Sequence, residues 1–157
     1  MKKDQQILLT PVAFVINDRN ETKDDFWGGI ISEIRLADHL SAEALEGIDT
    51  FSHLEIIFHF NKMDPNAIEK GKSHPRGNPA FPLTDIFAQR KKKRPNHIGL
   101  TTVKLVRKEG RSLFVEGLDA DNGTPVLDIK PVIKEFLPAG EIRQPAWATE
   151  LMKNYWK

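Results

Sequence analysis

The chain has 157 residues, with 23 Lys and Arg against 22 Asp and Glu, and it has no cysteine. This length fits one domain over residues 1–157 with a buried core, and the missing thiols exclude disulfides, thiolate metal sites and cysteine nucleophiles. No segment approaches 18 apolar residues, and the apolar stretch near the N-terminus is too short for a signal peptide. We therefore expect a soluble, cytoplasmic protein.

The first part of the chain predicts two strands and a short helix. Residues 7–16 are apolar and β-branched but include Pro11, which favours an edge or bulged strand. Residues 30–36 alternate well enough for a second strand. Residues 38–46 have the pattern of a short helix, and Gly47 closes it.

Residues 51–60 predict a third strand with two different faces. His53, Glu55 and His59 fall on one face because side chains alternate along a strand. The opposite face is apolar and consists of Leu54, Ile56, Phe58 and Phe60.

The second part predicts a long loop, a hairpin, a further strand and a terminal helix. Residues 62–84 are basic and punctuated by prolines, which is typical of a functional loop. Residues 97–107 and 111–118 form the hairpin, and residues 124–129 form a strand after the Asp-Asn-Gly turn. Residues 145–155 predict a helix. Most of the regular structure is strand, so we expect a mainly β fold: a small closed barrel with short helices and a C-terminal helix.

The positive charge is concentrated in one segment. Residues 70–97 contain eight Lys and Arg and one acid, a net of +7, while the rest of the chain carries −6. A run of five cations at residues 90–94 indicates an anionic partner, although a solvated loop is the plain alternative. Arg90 and Arg94 suit an oriented carboxylate or phosphate contact, since Arg presents a planar fork. The three lysines between them suit a polyanion contact that ignores base sequence.

Other site patterns are weak. The histidines show no metal-ligand spacing, so a structural role is the simpler interpretation for each, and no glycine-rich nucleotide loop occurs. Gly71-Lys72-Ser73 lacks the setting of a serine nucleophile.

A second dense segment spans residues 117–131. Its Asp-Asn-Gly turn explains residues 121–123 but not the charged positions around them. Asp128 and Lys130 point to the same side of a strand and are placed to pair. Asp119 lies at a strand end, where its carboxylate suits a ribose or an ammonium group.

Three motifs in order resemble the TsaA-like (TrmO) family over roughly residues 8–135. They are Phe51-Ser52-His53-Leu54, the stretch from Ile86 to Leu100 with Arg94-Pro95-Asn96, and Gly117-Leu118-Asp119 followed by residues 123–131. The resemblance implies a small β-barrel that binds S-adenosylmethionine, usually at a homodimer interface. Characterised bacterial members methylate N6 of threonylcarbamoyladenosine at position 37 of a threonine tRNA. Departures include His97 in place of the usual Pro, no match to a Pro-Arg-Gln loop, and no C-terminal domain.

The resemblance assigns roles to individual residues of this chain. Cofactor contacts fall on Asn61, Lys62, Arg90, Ile98, Leu100, Leu118, Asp119 and Ala120. If the substrate is RNA, the positive charge of the run predicts contacts from Lys91, Lys92, Lys93 and Arg94, the lysines being its exposed part. The proton leaving the acceptor nitrogen has three possible acceptors: Asp128, His53 and His97.

The resulting hypothesis is an S-adenosylmethionine-dependent methyltransferase acting on N6 of threonylcarbamoyladenosine in tRNA, active as a homodimer and needing no metal or membrane. Two alternatives stay open. One is a non-catalytic, S-adenosylmethionine-binding regulatory module. The other is a methyltransferase of a different RNA or a small molecule.

Overall fold

A computed structural model describes residues 5–19 and 23–157. Six strands among these residues close into an antiparallel barrel in the order β1-β2-β5-β4-β3-β6. The strands are β1 (Ala13–Ile16), β2 (Ile31–Leu36), β3 (His53–His59), β4 (Ile98–Glu109), β5 (Ser112–Glu116) and β6 (Pro125–Pro131). The predicted mainly β fold with a closed barrel is confirmed.

The first predicted strand is shorter than expected. Only Ala13–Ile16 pairs as a strand, with β2 on one side and β6 on the other. Pro11 has no backbone N–H to donate, so regular pairing begins after it. The predicted helix over residues 38–46 is also reduced, to two 3-10 turns at Ala42–Leu45 and Ile48–Thr50. Gly47 lies between them at a φ of 80°, a conformation that ends a helix.

The barrel interior follows the alternation of the strands. In β3, Leu54, Ile56 and Phe58 are at most 2% exposed, while His53 faces outward. Gly99 of β4 lies opposite Phe58, and a Cβ there would come within 2.6 Å of two atoms of the Phe58 ring and 2.9 Å of the Phe60 ring. The missing side chain of Gly99 therefore makes room for these two rings, which meet edge to face.

Hydrogen bonds within the long loop between β3 and β4 connect its two halves. Ser73 and Thr84 exchange two backbone hydrogen bonds of 2.9 and 3.0 Å. The buried amide of Gln89 donates to the carbonyl oxygens of both residues, at 3.1 and 3.0 Å. The loop thus has a fixed shape despite its length, with 3-10 turns at Pro75–Gly77, Ile86–Ala88 and Pro95–His97.

The C-terminal helix α1 spans Ala146–Met152 and is shorter than the predicted 145–155. Beyond it, the carbonyls of Asn154 and Tyr155 accept hydrogen bonds from the backbone of Phe26 and Trp27, at 3.1 and 2.8 Å. The helix ends at Met152, so Tyr155 lies outside it, in the C-terminal segment of residues 153–157 that these bonds hold in place. Across residues 5–19 and 23–157, no helix combines the length and apolar character needed to cross a membrane.

Candidate functional site

A pocket of about 180 Å³ opens at the end of the barrel where β3 ends and β6 begins. Rings, amides and charged side chains line it together: Phe58, Phe60, Asn61, Lys62, Met63, Lys92, Asp119, Ala120, Asp121 and Thr124. Ligand pockets commonly measure roughly 300–1,000 Å³. The pocket in this chain is thus smaller than a typical ligand pocket.

A larger depression, about 490 Å³, lies beside residues 23–31 and contains none of the predicted site residues. Arg19 on its wall donates to the carbonyls of Lys23, Asp25 and Phe26 and lies over the Trp27 ring. These contacts therefore occupy the guanidinium of Arg19. The smaller pocket at the barrel mouth is the better candidate.

The predicted cofactor residues divide into two groups. Asn61, Lys62, Asp119 and Ala120 all line the mouth pocket. Ile98 and Leu100 lie instead on the outer face of β4, where they are 38% and 43% exposed. Arg90 belongs to this second group because its guanidinium donates to the carbonyl of Leu100. Leu118 is fully buried among the core residues.

Asp119 is the best-organised polar group of the mouth. One of its carboxylate oxygens accepts a hydrogen bond from the Thr101 hydroxyl, and the other accepts one from the Tyr155 phenol. Burial raises the pKa of Tyr155, and the negative charge of Asp119 raises it further. The phenol therefore keeps its proton and acts as a donor.

Sequence reasoning missed Thr101 and Tyr155 as parts of this site. Thr101 is one of the inward positions of β4, so its hydroxyl needs a partner there. That requirement is visible in the alternation of the strand. Tyr155 gave no comparable signal, since its contact with Asp119 spans 36 positions of sequence.

The three possible proton acceptors lie apart. His53 begins β3, is exposed, and has its Nδ1 2.8 Å from the Ser52 hydroxyl. His97 is buried, with its Nε2 3.3 Å from the carbonyl oxygen of Ala67. Asp128 lies on the outer face and pairs with Lys130 at 2.8 Å, as the spacing predicted.

The outer face of β4, β3 and β6 presents a row of aligned side chains. Leu100, Ile57 and Asp128 lie opposite one another across the three strands. The next row contains Ile98 and His59. Asp128 is therefore in register with the outer cofactor candidates, whereas His53 is four residues further along β3, about 13 Å away.

The basic run is less exposed than its sequence indicates. Lys91 is partly buried and binds the Glu69 carboxylate at 2.8 Å and the Ser73 hydroxyl at 2.9 Å. Lys92 lines the mouth pocket, and its ammonium lies 4.0 Å from Asp24. Arg94 donates to the carbonyl of Gln89 at 2.9 Å.

The expectation that all three lysines are exposed is thus wrong for Lys91, because loop formation brings Glu69 to it. Lys91 and then Ser73 lower the pKa of Glu69 by bonding to its carboxylate. Lys93 is exposed, as are Lys70 and Lys72 of the same loop. Within the described part of the chain, none of these three makes an ion pair within 4.0 Å.

Known proteins resemble this chain in sequence and in fold. Residues 24–136 match the family model described as the tRNA-methyltransferase O N-terminal domain. A human tRNA (adenine(37)-N6)-methyltransferase is 39% identical over 111 residues, which is 71% of this chain but 25% of that protein. A probable S-adenosyl-L-methionine-binding protein of Pyrococcus horikoshii is 33% identical over 82% of this chain and 84% of its own length.

A solved structure agrees with the fold. The crystal structure of TrmO from Pseudomonas aeruginosa superposes with a TM-score of 0.69 at 25% identity, covering 88% of this chain and 62% of that one. This chain spans about a quarter of the mammalian relatives and most of the archaeal one. With the family model covering residues 24–136, the chain belongs to the tRNA-methyltransferase O (TsaA-like) family.

Proposed function

We propose that this protein is an S-adenosylmethionine-dependent methyltransferase that modifies N6 of threonylcarbamoyladenosine at position 37 of tRNA. The observation that carries the proposal is the convergence of Asn61, Lys62, Asp119 and Ala120 on one pocket in a chain of this family. A cytoplasmic location accompanies a tRNA substrate. No metal has a part in the proposed reaction.

The residues of the mouth fit the polar and apolar parts of the cofactor. Each oxygen of Asp119 accepts one hydrogen bond from protein and retains acceptor capacity for an ammonium or a ribose hydroxyl. Lys62 at the mouth and Arg90 on the outer face offer cations for the cofactor carboxylate, while Phe60 offers apolar surface. S-adenosylmethionine supplies a methyl group activated by its sulfonium sulfur. The protein's main contribution is to hold the acceptor nitrogen in line at near-attack distance.

Asp128 is the acceptor we favour for the proton that leaves N6. Its carboxylate is 47% exposed, shares a row with Leu100 and lies 2.8 Å from the ammonium of Lys130. The Asp128→Asn variant should lose most of kcat while its cofactor affinity stays within twofold of the parent. His53→Asn and His97→Asn are the parallel variants. A selective loss of kcat in one of these two variants would assign the role of proton acceptor to that histidine instead of Asp128.

A homodimer would complete the site. The mouth pocket is small, and Ile98 and Leu100 present apolar side chains on the outer face of the barrel. Exposed apolar patches of this kind commonly mark protein interfaces. We propose that the outer face of one copy covers the mouth of another. Arg90, which is bonded to Leu100, would then reach the cofactor from the second copy.

The exposed part of the basic loop supports an RNA partner. Lys70, Lys72 and Lys93 carry cations without ion-pair partners in the described residues, and Lys92 borders the pocket itself. Phosphate binding by such lysines releases counterions, so activity should fall steeply with salt.

Transfer of label from S-adenosyl[methyl-³H]methionine to tRNA tests the proposal. The substrate is total tRNA from cells that lack the position-37 methylation, and modified tRNA serves as the control. We expect label only in the unmodified tRNA. No transfer to either preparation, with the cofactor bound, would reject the tRNA reaction.

The loop can be tested in the same assay. The triple variant K70A/K72A/K93A should raise KM for tRNA roughly tenfold and flatten its dependence on salt. A matched control replaces Lys104 and Lys153, two exposed lysines in other regions. An unchanged KM in the triple variant would favour a small-molecule acceptor or another mode of RNA binding.

A non-catalytic binding module is the second candidate. The archaeal relative that this chain covers nearly in full carries a name that mentions cofactor binding and no reaction. Tight binding of S-adenosylmethionine without turnover on RNA, protein or small-molecule fractions would support this candidate.

A further inference from the structure

The C-terminal segment, residues 153–157, lies outside the family match, which ends at residue 136. Its Tyr155 nevertheless contacts Asp119 of the mouth pocket. Its backbone accepts hydrogen bonds from Phe26 and Trp27. Gly28 permits this contact, because a Cβ there would stand 1.9 Å from the carbonyl oxygen of Trp156. The Trp156 ring also approaches Gly117, two residues before Asp119.

Docking brings one polar group to a residue that lines the pocket. The Tyr155 phenol reaches the Asp119 carboxylate, and the Thr101 hydroxyl binds the other oxygen of the same group. Asp119 lines the pocket, whereas neither donor does. The two donors therefore approach from behind or beside the carboxylate.

We propose that Tyr155 is a positioning residue for the cofactor site, fixing the Asp119 carboxylate so that its remaining lone pairs face the ligand. This inference rests on the proposed function of the pocket. A carboxylate held at one oxygen can still turn about its terminal torsion, while one held at both oxygens has a defined plane. Pre-orientation of this kind removes ordering cost from ligand binding.

Two further contacts fix the tyrosine itself. Arg76 of the basic loop lies 5.9 Å from the centre of the Tyr155 ring and also holds Asp25 at 2.9 Å. Trp156 meets the Tyr155 ring edge to face at 4.8 Å. The phenol is consequently held by the segment, the loop and the barrel together.

Binding of S-adenosylhomocysteine, measured by calorimetry, tests the proposal. Tyr155→Phe removes the hydroxyl alone and should weaken binding roughly tenfold. Gly28→Ala keeps the phenol but displaces the segment, and it should weaken binding in the same direction. Glu150→Ala, an exposed change in α1, is the control and should bind as the parent does.

A spectroscopic measurement separates positioning from general stability. Tyr155 is the single tyrosine of the chain, so tyrosine labelled with ¹³C at Cζ gives one resonance. We expect it to shift when S-adenosylhomocysteine binds the parent and to lose this response in Asp119→Asn.

The outcomes are distinct. An unmoved resonance together with parental affinity in Tyr155→Phe would overturn the proposal and leave the segment a structural part. Tighter binding in Tyr155→Phe or Gly28→Ala would also overturn it, since the segment would then compete with the ligand. Absence of binding by the parent would contradict the proposed function itself, and the positioning role would fall with it.

Discussion

The predicted cofactor residues are divided between the barrel mouth and the outer face of β4, β3 and β6. These two regions differ in chemistry. The mouth places Asp119 among hydrogen-bond donors, with Lys62 and Asn61 on the same wall. The outer face presents Ile98 and Leu100 to solvent. The mouth thus offers polar groups, whereas this part of the outer face offers apolar side chains. In the dimer that we propose, the first region of one chain and the second region of another form one site.

The largest expected effect falls on the mouth. Asp119→Ala should weaken S-adenosylhomocysteine binding about 100-fold, because a charge-assisted contact is lost and two partly buried donors lose their acceptor. Calorimetry measures this. Asp128→Ala is the matched control on the outer face and should change affinity less than twofold. Equal losses in the two variants would remove the distinction between the regions.

The outer face should respond through assembly. Leu100→Glu places a charge in the proposed interface, so it should convert the dimer to a monomer in analytical ultracentrifugation and weaken cofactor binding with it. Val106→Glu is the control, since Val106 lies on the same strand with a similar exposure of 44%. A parent that sediments as a monomer would contradict the shared site.

The packing beneath the mouth should be sensitive to a single methyl group. Gly99→Ala places a Cβ against the Phe58 and Phe60 rings and should lower the free energy of unfolding by about 1–3 kcal/mol. Urea unfolding measures the change, with the exposed Thr102→Ala on the same strand as the control. If the urea midpoint of Gly99→Ala equals that of the parent, the two rings can move without loss of stability.

The smallest expected effect is on the pH dependence of stability, and it comes from Glu69 in the loop between β3 and β4. Lys91 and Ser73 lower the pKa of Glu69, so the folded protein takes up this proton less readily than the unfolded chain. The stabilisation is complete above the unfolded value near 4.5 and is lost as pH falls through the lower folded pKa.

Glu69→Gln should therefore lose at most about 1 kcal/mol at neutral pH, and the difference from the parent should shrink in acid. Unfolding at pH 3 to 7 gives the comparison, with the exposed Glu135→Gln as reference. If the difference in the free energy of unfolding grows toward low pH, the pKa of Glu69 is raised by folding and not lowered.

Alternation and turn chemistry predicted most of the barrel. The inward set Leu54, Ile56 and Phe58 could be identified because a strand has a period of two residues. The resemblance assigned cofactor contacts to residues such as Asn61 and Asp119, which line one pocket of the structure. The inward set of the strand is local in sequence, so a pattern within ten residues suffices to find it.

Long-range contacts carried no such signal. Lys91 looked like part of an exposed cationic run because its partner Glu69 is 22 residues away. Tyr155 falls within the predicted helix over residues 145–155. The sequence near it does not reveal that α1 ends at Met152 or that the backbone beyond the helix bonds to Phe26 and Trp27. Closure of the loop and docking of the segment decide these environments, and both are properties of the folded chain.

A crystal structure with bound S-adenosylhomocysteine tests the central claim most directly. We predict a ligand in the mouth pocket with its ammonium or ribose on Asp119, covered by the outer face of a second copy. A ligand bound elsewhere, such as in the depression beside residues 23–31, or bound without contact to Asp119, would contradict the account.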